Sequence, residues 1–476
     1  MAYYILKSYK LKIDPFEVFQ ALKNERYCFF LDSSLNSGYS LGRFSFFGID
    51  PFYILETRNQ LAFTKASAGC PPKRCEDEEN PFLKLREILD HYKISLPKTN
   101  IPFLGGAVGF LSYDLGLILE KKIKIKPRDD LMIPDCFFGF YNTIIITDNI
   151  KKILYICAVG FPEKKYHLAK SLCESNLKKV HNLLSRINLH KINNKKNKSK
   201  GKPAELKSNF TREDYLLAIN KAKRYIRDGD IYQVNLSQRF KAETDLSGFQ
   251  IYKRLRQISP SYFSAYLDCR DFQILSSSPE RFLSLKGNVV TTRPMKGTRP
   301  RSENRIKNLR LKKELLKSAK DAAELIMIVD LERNDLGRVC NYDSIKVNAL
   351  RELEEYTTVF QTTATVSGRL HKDKDRIDLL AACFPGGSIT GCPKIRAMEI
   401  IEELEPSRRS IYTGSLGYLS FSGDMDFNIL IRSILKKEDK LYFGAGGGIV
   451  ADSKPEEEYE ETLVKAKAML QAINAL

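Results

Sequence analysis

Hydrophobic positions in this chain follow two rhythms. CFFGFYNTIIIT (136–147) and KILYICAVGF (152–161) are short, nearly continuous apolar runs rich in β-branched and aromatic residues, and they predict buried strands. They follow the Gly-rich segment FLGGAVGFLSYDLG (103–116), so the amino-terminal part reads as sheet-rich with some helices. The other rhythm appears after residue 210. Thr211, followed by Arg212, Glu213 and Asp214, forms a capping-box-like start, and Tyr215, Ile219, Ala222 and Ile226 then recur at helical spacing until Gly229. GDIYQVNLSQRF alternates as a strand, and strands, Gly-rich turns and long charged amphipathic helices follow without a fixed-period repeat. The class is mixed α and β.

Between the two parts lies INLHKINNKKNKSKGKPAELKSN, residues 187–209, where apolar residues thin out and six lysines fall between Lys191 and Lys202. The run lacks the aromatic or Arg-rich company of a nucleic-acid arm, so it reads as a solvated linker. The expected division is 1–186, linker 187–209, and 210–476.

A chain of 476 residues with 43% hydrophobic content can bury a large core and admits two or three domains. Its ten cysteines show no paired CxxC spacing and read as reduced thiols; Cys70 and Cys75 sit in a polar stretch that suits a surface insertion better than a zinc site. No window approaches the roughly 18 apolar residues of a membrane span, and no leader is evident, so a soluble cytoplasmic protein is expected. The net charge of +19 suits polyanions and small dianionic substrates alike.

The five histidines, at 91, 167, 181, 190 and 371, stand in no HExxH, zinc-finger or GxSxG context, which argues against histidine-centred hydrolysis. Chemistry is concentrated instead in polar segments between apolar elements. SSSPERF and NVVTTRPMKGTRPRS place Glu280 sixteen residues before Lys296, with Arg293, Arg299 and Arg301 around the lysine in what reads as a tight turn. Like charges disfavour an ammonium, and a neutral amine is a nucleophile; on spacing alone an exposed cationic surface turn is the better fit. SAKDAAELIMIVDLERNDLGR reads as a helix passing into a strand, with Glu324 before LIMIV. In GAGGGIVADSKPEEEYEETLVKAKAML, Asp452, Ser453 and Pro455 begin a helix whose Glu458 and Glu461 share a face. Glu324 and Glu461 could hold one magnesium ion from two helices, or merely complement a helix dipole. The glycines from Gly444 to Gly448 let backbone approach a ligand, and FPGGSITGCPKIRAMEI is a second Gly-rich turn into a helix. Arg432, read as part of an apolar strand, needs a carboxylate partner from substrate or protein.

Taken in order, SPERF, RPMKGTRPR, IVDLERNDLGR, FPGGSITGCPK, GSLGYLSFSGDMDFNILIR and AGGGIVADSKPEEEYEET resemble the chorismate-utilising enzymes, which include anthranilate synthase component I, aminodeoxychorismate synthase component I, isochorismate synthases and salicylate synthases. The resemblance implies an α+β fold of the anthranilate synthase component I type, its sheets packed in a central sandwich with helices outside. PMKGT, where anthranilate synthases read PIAGT, and PGGSITG, where they more often read PAGTVSG, resemble the aminodeoxychorismate branch. That branch implies a covalent role for Lys296 and proton transfer by Glu280. It implies Mg2+ held by Glu324 and Glu461 with Glu458 nearby, and substrate contacts from Gly297, Thr298, Thr390, Tyr412, Arg432, Gly446, Gly447, Gly448 and Lys465. Two positions depart from the pattern: Gln361 stands where a histidine is usual, and Cys392 where alanine is usual. With no GxCxGxQ glutaminase segment and no appended lyase domain, chorismate and ammonia are the expected reactants. A separate glutamine amidotransferase subunit would supply the ammonia, with no nucleic acid or membrane partner. Anthranilate synthase component I is the alternative, and a basic nucleic-acid-binding protein a remote one. FLDSS and SPSYFSAYL stand where relatives bind tryptophan.

Overall fold

In the computed structural model the described residues run from 3 to 474, apart from 12, 36–40, 59–60, 67–72, 75–79, 95–98, 121–122, 124–126, 186–204 and 358. Most of the expected linker, and both Cys70 and Cys75, lie outside them. Alternation of side chains organises the rest. Phe29, Phe46, Ile144 and Ile146 point into one core while their neighbours Phe30, Phe47 and Ile145 point into another, as the two-residue period of a strand requires.

Two antiparallel sheets of twelve strands result. Sheet 1 runs β1 (Tyr4–Lys10), β10 (Ile153–Val159), β9 (Thr143–Asp148), β3 (Phe44–Gly48), β2 (Phe29–Asp32), β13 (Phe263–Asp268), β14 (Gln273–Ser278), β23 (Ser433–Lys437), β24 (Lys440–Ile449), β12 (Gln233–Glu243) and β11 (Lys207–Ser208), with β20 (Gly391–Cys392) beside β12. Sheet 2 runs β17 (Met295–Pro300), β19 (Val359–Arg369), β16 (Val289–Arg293), β15 (Arg281–Lys286), β22 (Met425–Ile429), β21 (Ser415–Ser420), β7 (Gly106–Leu111), β8 (Cys136–Tyr141), β4 (Tyr53–Arg58), β5 (Leu61–Ala66) and β6 (Lys73–Arg74), with β18 (Lys346–Glu355) beside β19. The segments on either side of the expected linker share both sheets, joined by β2 to β13 and by β7 to β21.

Inner faces of the two sheets meet in one core, where Phe46 of β3 contacts Tyr418 of β21 at 5.6 Å. The outer face of sheet 1 is covered by α1 (Pro15–Leu22), α4 (Tyr166–Ser185), α6 (Gly248–Ile258) and α11 (Pro455–Ala472). The remaining helices are α2 (Pro81–His91), α3 (Tyr113–Leu119), α5 (Arg212–Arg227), α7 (Arg305–Lys317), α8 (Ala319–Gly337), α9 (Arg376–Cys383) and α10 (Lys394–Leu404). This is the sheet sandwich with outer helices that the sequence implied. The Thr211 hydroxyl caps α5 by accepting from the Asp214 amide at 3.1 Å, and Tyr215, Ile219 and Ala222 are buried as expected.

Three local readings are corrected. LIMIV is not a strand: α8 continues through it to Gly337, burying Leu325, Ile328, Val329, Glu332 and Leu336 at helical spacing. RPMKGTRPR is not a tight turn but holds strand β17, bulged between Lys296 and Thr298, with Gly297 at φ 78°. Arg432 lies in no strand; it occupies the break between β22 and β23 at φ 50°.

Candidate active site

The site forms where β24 and β12 of sheet 1 approach β17 of sheet 2, under α7, α8 and α11. The bulge at Gly297 seats the α7–α8 layer on β17, since a Cβ there would lie 2.8 Å from Leu315 Cδ1 and 3.0 Å from Asp321 Cγ. Lys296, half-buried, directs its amine to β24, where Nζ is 3.3 Å from the place a Cβ on Gly448 would occupy. The amide of Gln233 approaches the same point, its Nε2 2.7 Å away. Glycine at 448 therefore leaves room for an amine and an amide at once.

The cation crowding expected around Lys296 is dispersed by ion pairs. Arg293 pairs with Glu354 at 2.6 Å, Arg299 pairs with Glu314 at 2.8 Å and Asp321 at 3.1 Å, and Arg301 donates to the Tyr356 carbonyl at 3.0 Å. The Lys296 charge acts in turn on Glu280 and Glu461, favouring their ionised forms. Glu280 is 3% exposed, and burial raises its carboxyl to about 7; Ser388, Lys296, the Met295 amide and Lys465 offset part of that rise. Ser388 stands beside it outside full hydrogen-bond geometry, and Glu280 Oε1 has no protein partner among the described residues.

On α11, Glu461 pairs with Lys465 at 2.6 Å, and this lysine, helped by Lys296 and Lys320, holds its carboxyl below the usual value against burial. Glu458 accepts from the Ser453 hydroxyl at 2.7 Å, yet burial raises its carboxyl. Both glutamates face Gly447, whose Cβ position is 3.1 Å from Glu458 Oε2 and 3.6 Å from Glu461 Oε1. Lys465 also donates to the Gly446 carbonyl at 2.8 Å. Past Tyr442, β24 pairs among the described residues only with β12, leaving the other backbone edge of Gly446 to Gly448 outside that ladder. Lys320 of α8 reaches Glu458 at 3.8 Å, and Glu324, four residues on, shares that helix face. Glu324 has no hydrogen-bond or ion-pair partner among the described residues, nor do three metal-binding side chains converge there.

Arg432 is half-buried; desolvation pushes its guanidinium below the usual value, and nearby Tyr356 and Glu280 offset part of that fall. It has no ion-pair partner among the described residues. The other expected contacts are placed differently. Thr390 turns its hydroxyl into its own loop, donating to the Gly386 carbonyl at 3.0 Å. Thr298 accepts from Gln361 Nε2 at 3.2 Å, and Tyr412 packs its ring on Gly444.

Sequence reasoning missed Gln233, Asn235 and Ser388. Both side-chain polar atoms of Gln233, Asn235 Oδ1, Ser388 Oγ and Gln361 Oε1 are buried without a protein partner among the described residues, as ligand-facing groups would be. The signal was the alternation in GDIYQVNLSQRF: Gln233, Asn235 and Ser237 form a polar face against apolar Val234 and Leu236. Glu332 was also missed; burial, then the neighbouring Glu280, raises its carboxyl, and it accepts from Thr292 Oγ1 at 2.9 Å.

A family model described as chorismate binding enzyme matches residues 50–471, a span that contains all six motifs and the whole of this site. The chain belongs to the chorismate-binding enzyme family. It is accordingly an enzyme acting on chorismate. Anthranilate synthase component 1 of Acetivibrio thermocellus is 38% identical over 464 residues, 96% of this chain and 92% of that protein. Aminodeoxychorismate synthase component 1 of Bacillus subtilis (strain 168) is also 38% identical, over 439 residues, 91% and 89% of the two chains. The crystal structure of anthranilate synthase component I from Streptococcus pneumoniae TIGR4 aligns with a TM-score of 0.77 at 30% identity, covering 97% and 99%.

A separate cavity of 790 Å³ between the sheets is bordered by Asp32, Ser33, Tyr262, Phe263 and Ser264, from the FLDSS and SPSYFSAYL segments. Lys296 and Glu280 do not line it. No helix among the described residues is long and apolar enough to cross a membrane.

Proposed function

We propose that this chorismate-binding enzyme aminates carbon 4 of chorismate to give 4-amino-4-deoxychorismate, an aminodeoxychorismate synthase activity. The observation that carries the reading is the placement of the Lys296 amine against Gly448, within the fields of Glu280 and Glu461. In this reading the amine adds at ring carbon 2 as the carbon 4 hydroxyl departs, taking a proton from Glu280. Ammonia then adds at carbon 4 as the bond from carbon 2 to Nζ breaks and the amine is regenerated, so the net change is chorismate plus ammonia to product plus water. A carboxyl raised to about 7 suits Glu280 to both giving and retaking that proton. Arg432, with no ion-pair partner among the described residues, is offered to a carboxylate of the substrate, and Gln233 to the incoming ammonia.

Glu461, Glu458 and Glu324 offer the hard carboxylate oxygens that Mg2+ prefers, and the substrate's ring carboxylate would complete a set that the protein alone leaves open. When bound, the ion would neutralise that carboxylate. A separate glutamine amidotransferase subunit is the proposed ammonia source.

Anthranilate synthase is the second reading, favoured by the equal 38% identity of that relative. Lys296 in PMKGT supports the aminodeoxychorismate branch. Incubation with chorismate, ammonium salt and Mg2+, followed by product identification by mass, separates them. The expected product keeps its enolpyruvyl group until a lyase is added; anthranilate formed without a lyase would refute the branch.

A further inference from the structure

Helix α7 spends its apolar residues on solvent. Of thirteen residues only Leu315 is buried, while Ile306, Leu309 and Leu316 are 79%, 53% and 42% exposed. At positions i, i+3 and i+10 they form one stripe, centred about 130° around the helix from Leu315 with Ile306 diametrically opposite it. The stripe is not isolated. Arg351 donates to the Leu315 and Ser318 carbonyls, which brings exposed Leu350 and Val347 of β18 to the end of α7. Seven of the seventeen exposed large apolar side chains among the described residues fall between 306 and 350, far more than that stretch's share of the chain. The stripe is also basic. α7 carries six cations and one carboxylate, Glu314, and of the six only Lys312 has an ion-pair partner among the described residues.

We infer that this face of α7 docks the ammonia-supplying subunit, through a partner surface that is apolar at its centre and acidic at its rim. The inference rests on the amination reading above. Position supports it: Leu315, opposite Ile306 on α7, meets β17 at Gly297, next to Lys296, so a subunit on the stripe stands roughly one helix diameter, ~10 Å, beyond that strand. Charge selects the occupant. A second copy of this chain placed symmetrically would set cations against cations, whereas an acidic partner neutralises them.

The test uses the full chain reconstituted with the glutamine amidotransferase subunit of the same genome, comparing Ile306→Asp/Leu309→Asp, Lys313→Glu and, as a remote exposed control, Leu217→Asp. Chorismate amination is followed with glutamine and, separately, with ammonium sulfate. The double variant should lose roughly 10-fold or more of the glutamine-supported rate and bind the partner more weakly in sedimentation, with the ammonium-supported rate unchanged. Lys313→Glu should lose less, and Leu217→Asp should change neither rate. An unchanged glutamine-supported rate in the double variant overturns the docking inference alone. So does a wild-type homodimer that the double variant dissociates, which assigns the stripe to self-association. Wild-type protein that aminates chorismate from neither source overturns the functional reading and the docking inference together.

Discussion

Glu280 is a carboxyl group whose fold disfavours its charge. Because burial raises it from 4.5 to about 7, its contribution to stability is fully present below the unfolded value and is lost as pH rises through about 7. Glu280→Gln should therefore be the more stable protein at pH 8 by about 2.5 kcal/mol relative to its difference at pH 5, read from urea midpoints at the two values. Its amination rate should fall by about 100-fold, the usual worth of a positioned acid. Lys296→Ala should lose at least ~1000-fold in the same assay while its melting temperature holds, since the half-buried side chain packs against glycine and makes no ion pair among the described residues. A near-normal rate in that variant would exclude covalent lysine catalysis. At this scale the sequence was legible for identity but not for environment. Lys296 and Glu280 could be named from SPERF and PMKGT, yet the arginines around the lysine seemed to crowd it because their carboxylate partners, Glu314 and Glu354 among them, lie well away along the chain.

Elements were legible where one period dominated. α5 and the strands around residues 136–161 emerge as expected because periodicity and end signals agree. LIMIV misled because five consecutive apolar residues satisfy a strand and a helix equally; the longer spacing from Leu325 to Glu332 and Leu336, with a glutamate on the buried face, decides for helix. Strand β17 was hidden by its glycine and prolines, which mark a bulge and an edge here rather than a turn. The approach of α8 to α11 gives the metal proposal its test. Glu324→Ala and Glu461→Ala should each raise the Mg2+ concentration for half-maximal rate by about 10-fold, since each would remove one carboxylate ligand. An unchanged titration in either variant removes that residue from the ion. Between sheet elements, Gly106 at φ 152° would place a Cβ 2.1 Å from the Leu419 carbonyl oxygen. Gly106→Ala should cost at least ~2 kcal/mol in urea unfolding, since backbone on both sides must move.

At the level of the molecule, composition predicts a linker over 187–209, but it does not predict the sharing of sheets across that stretch, because pairing partners such as Ala107 and Leu419 lie more than three hundred residues apart. Chains split between residues 186 and 205 should each be insoluble alone and recover a cooperative melt only when co-expressed. A soluble, cooperatively melting 205–476 fragment would show that its sheets close without the first segment. The same joinery has a consequence during synthesis. When β2 and β7 leave the ribosome, the strands that will lie beside them, β13 and β21, have yet to be made. At 5–20 residues per second, β7 waits roughly 15–60 s for β21, with an unpaired border open to any nascent neighbour. Translation speed and holdase supply, more than equilibrium stability, should then govern how much of this enzyme a cell obtains.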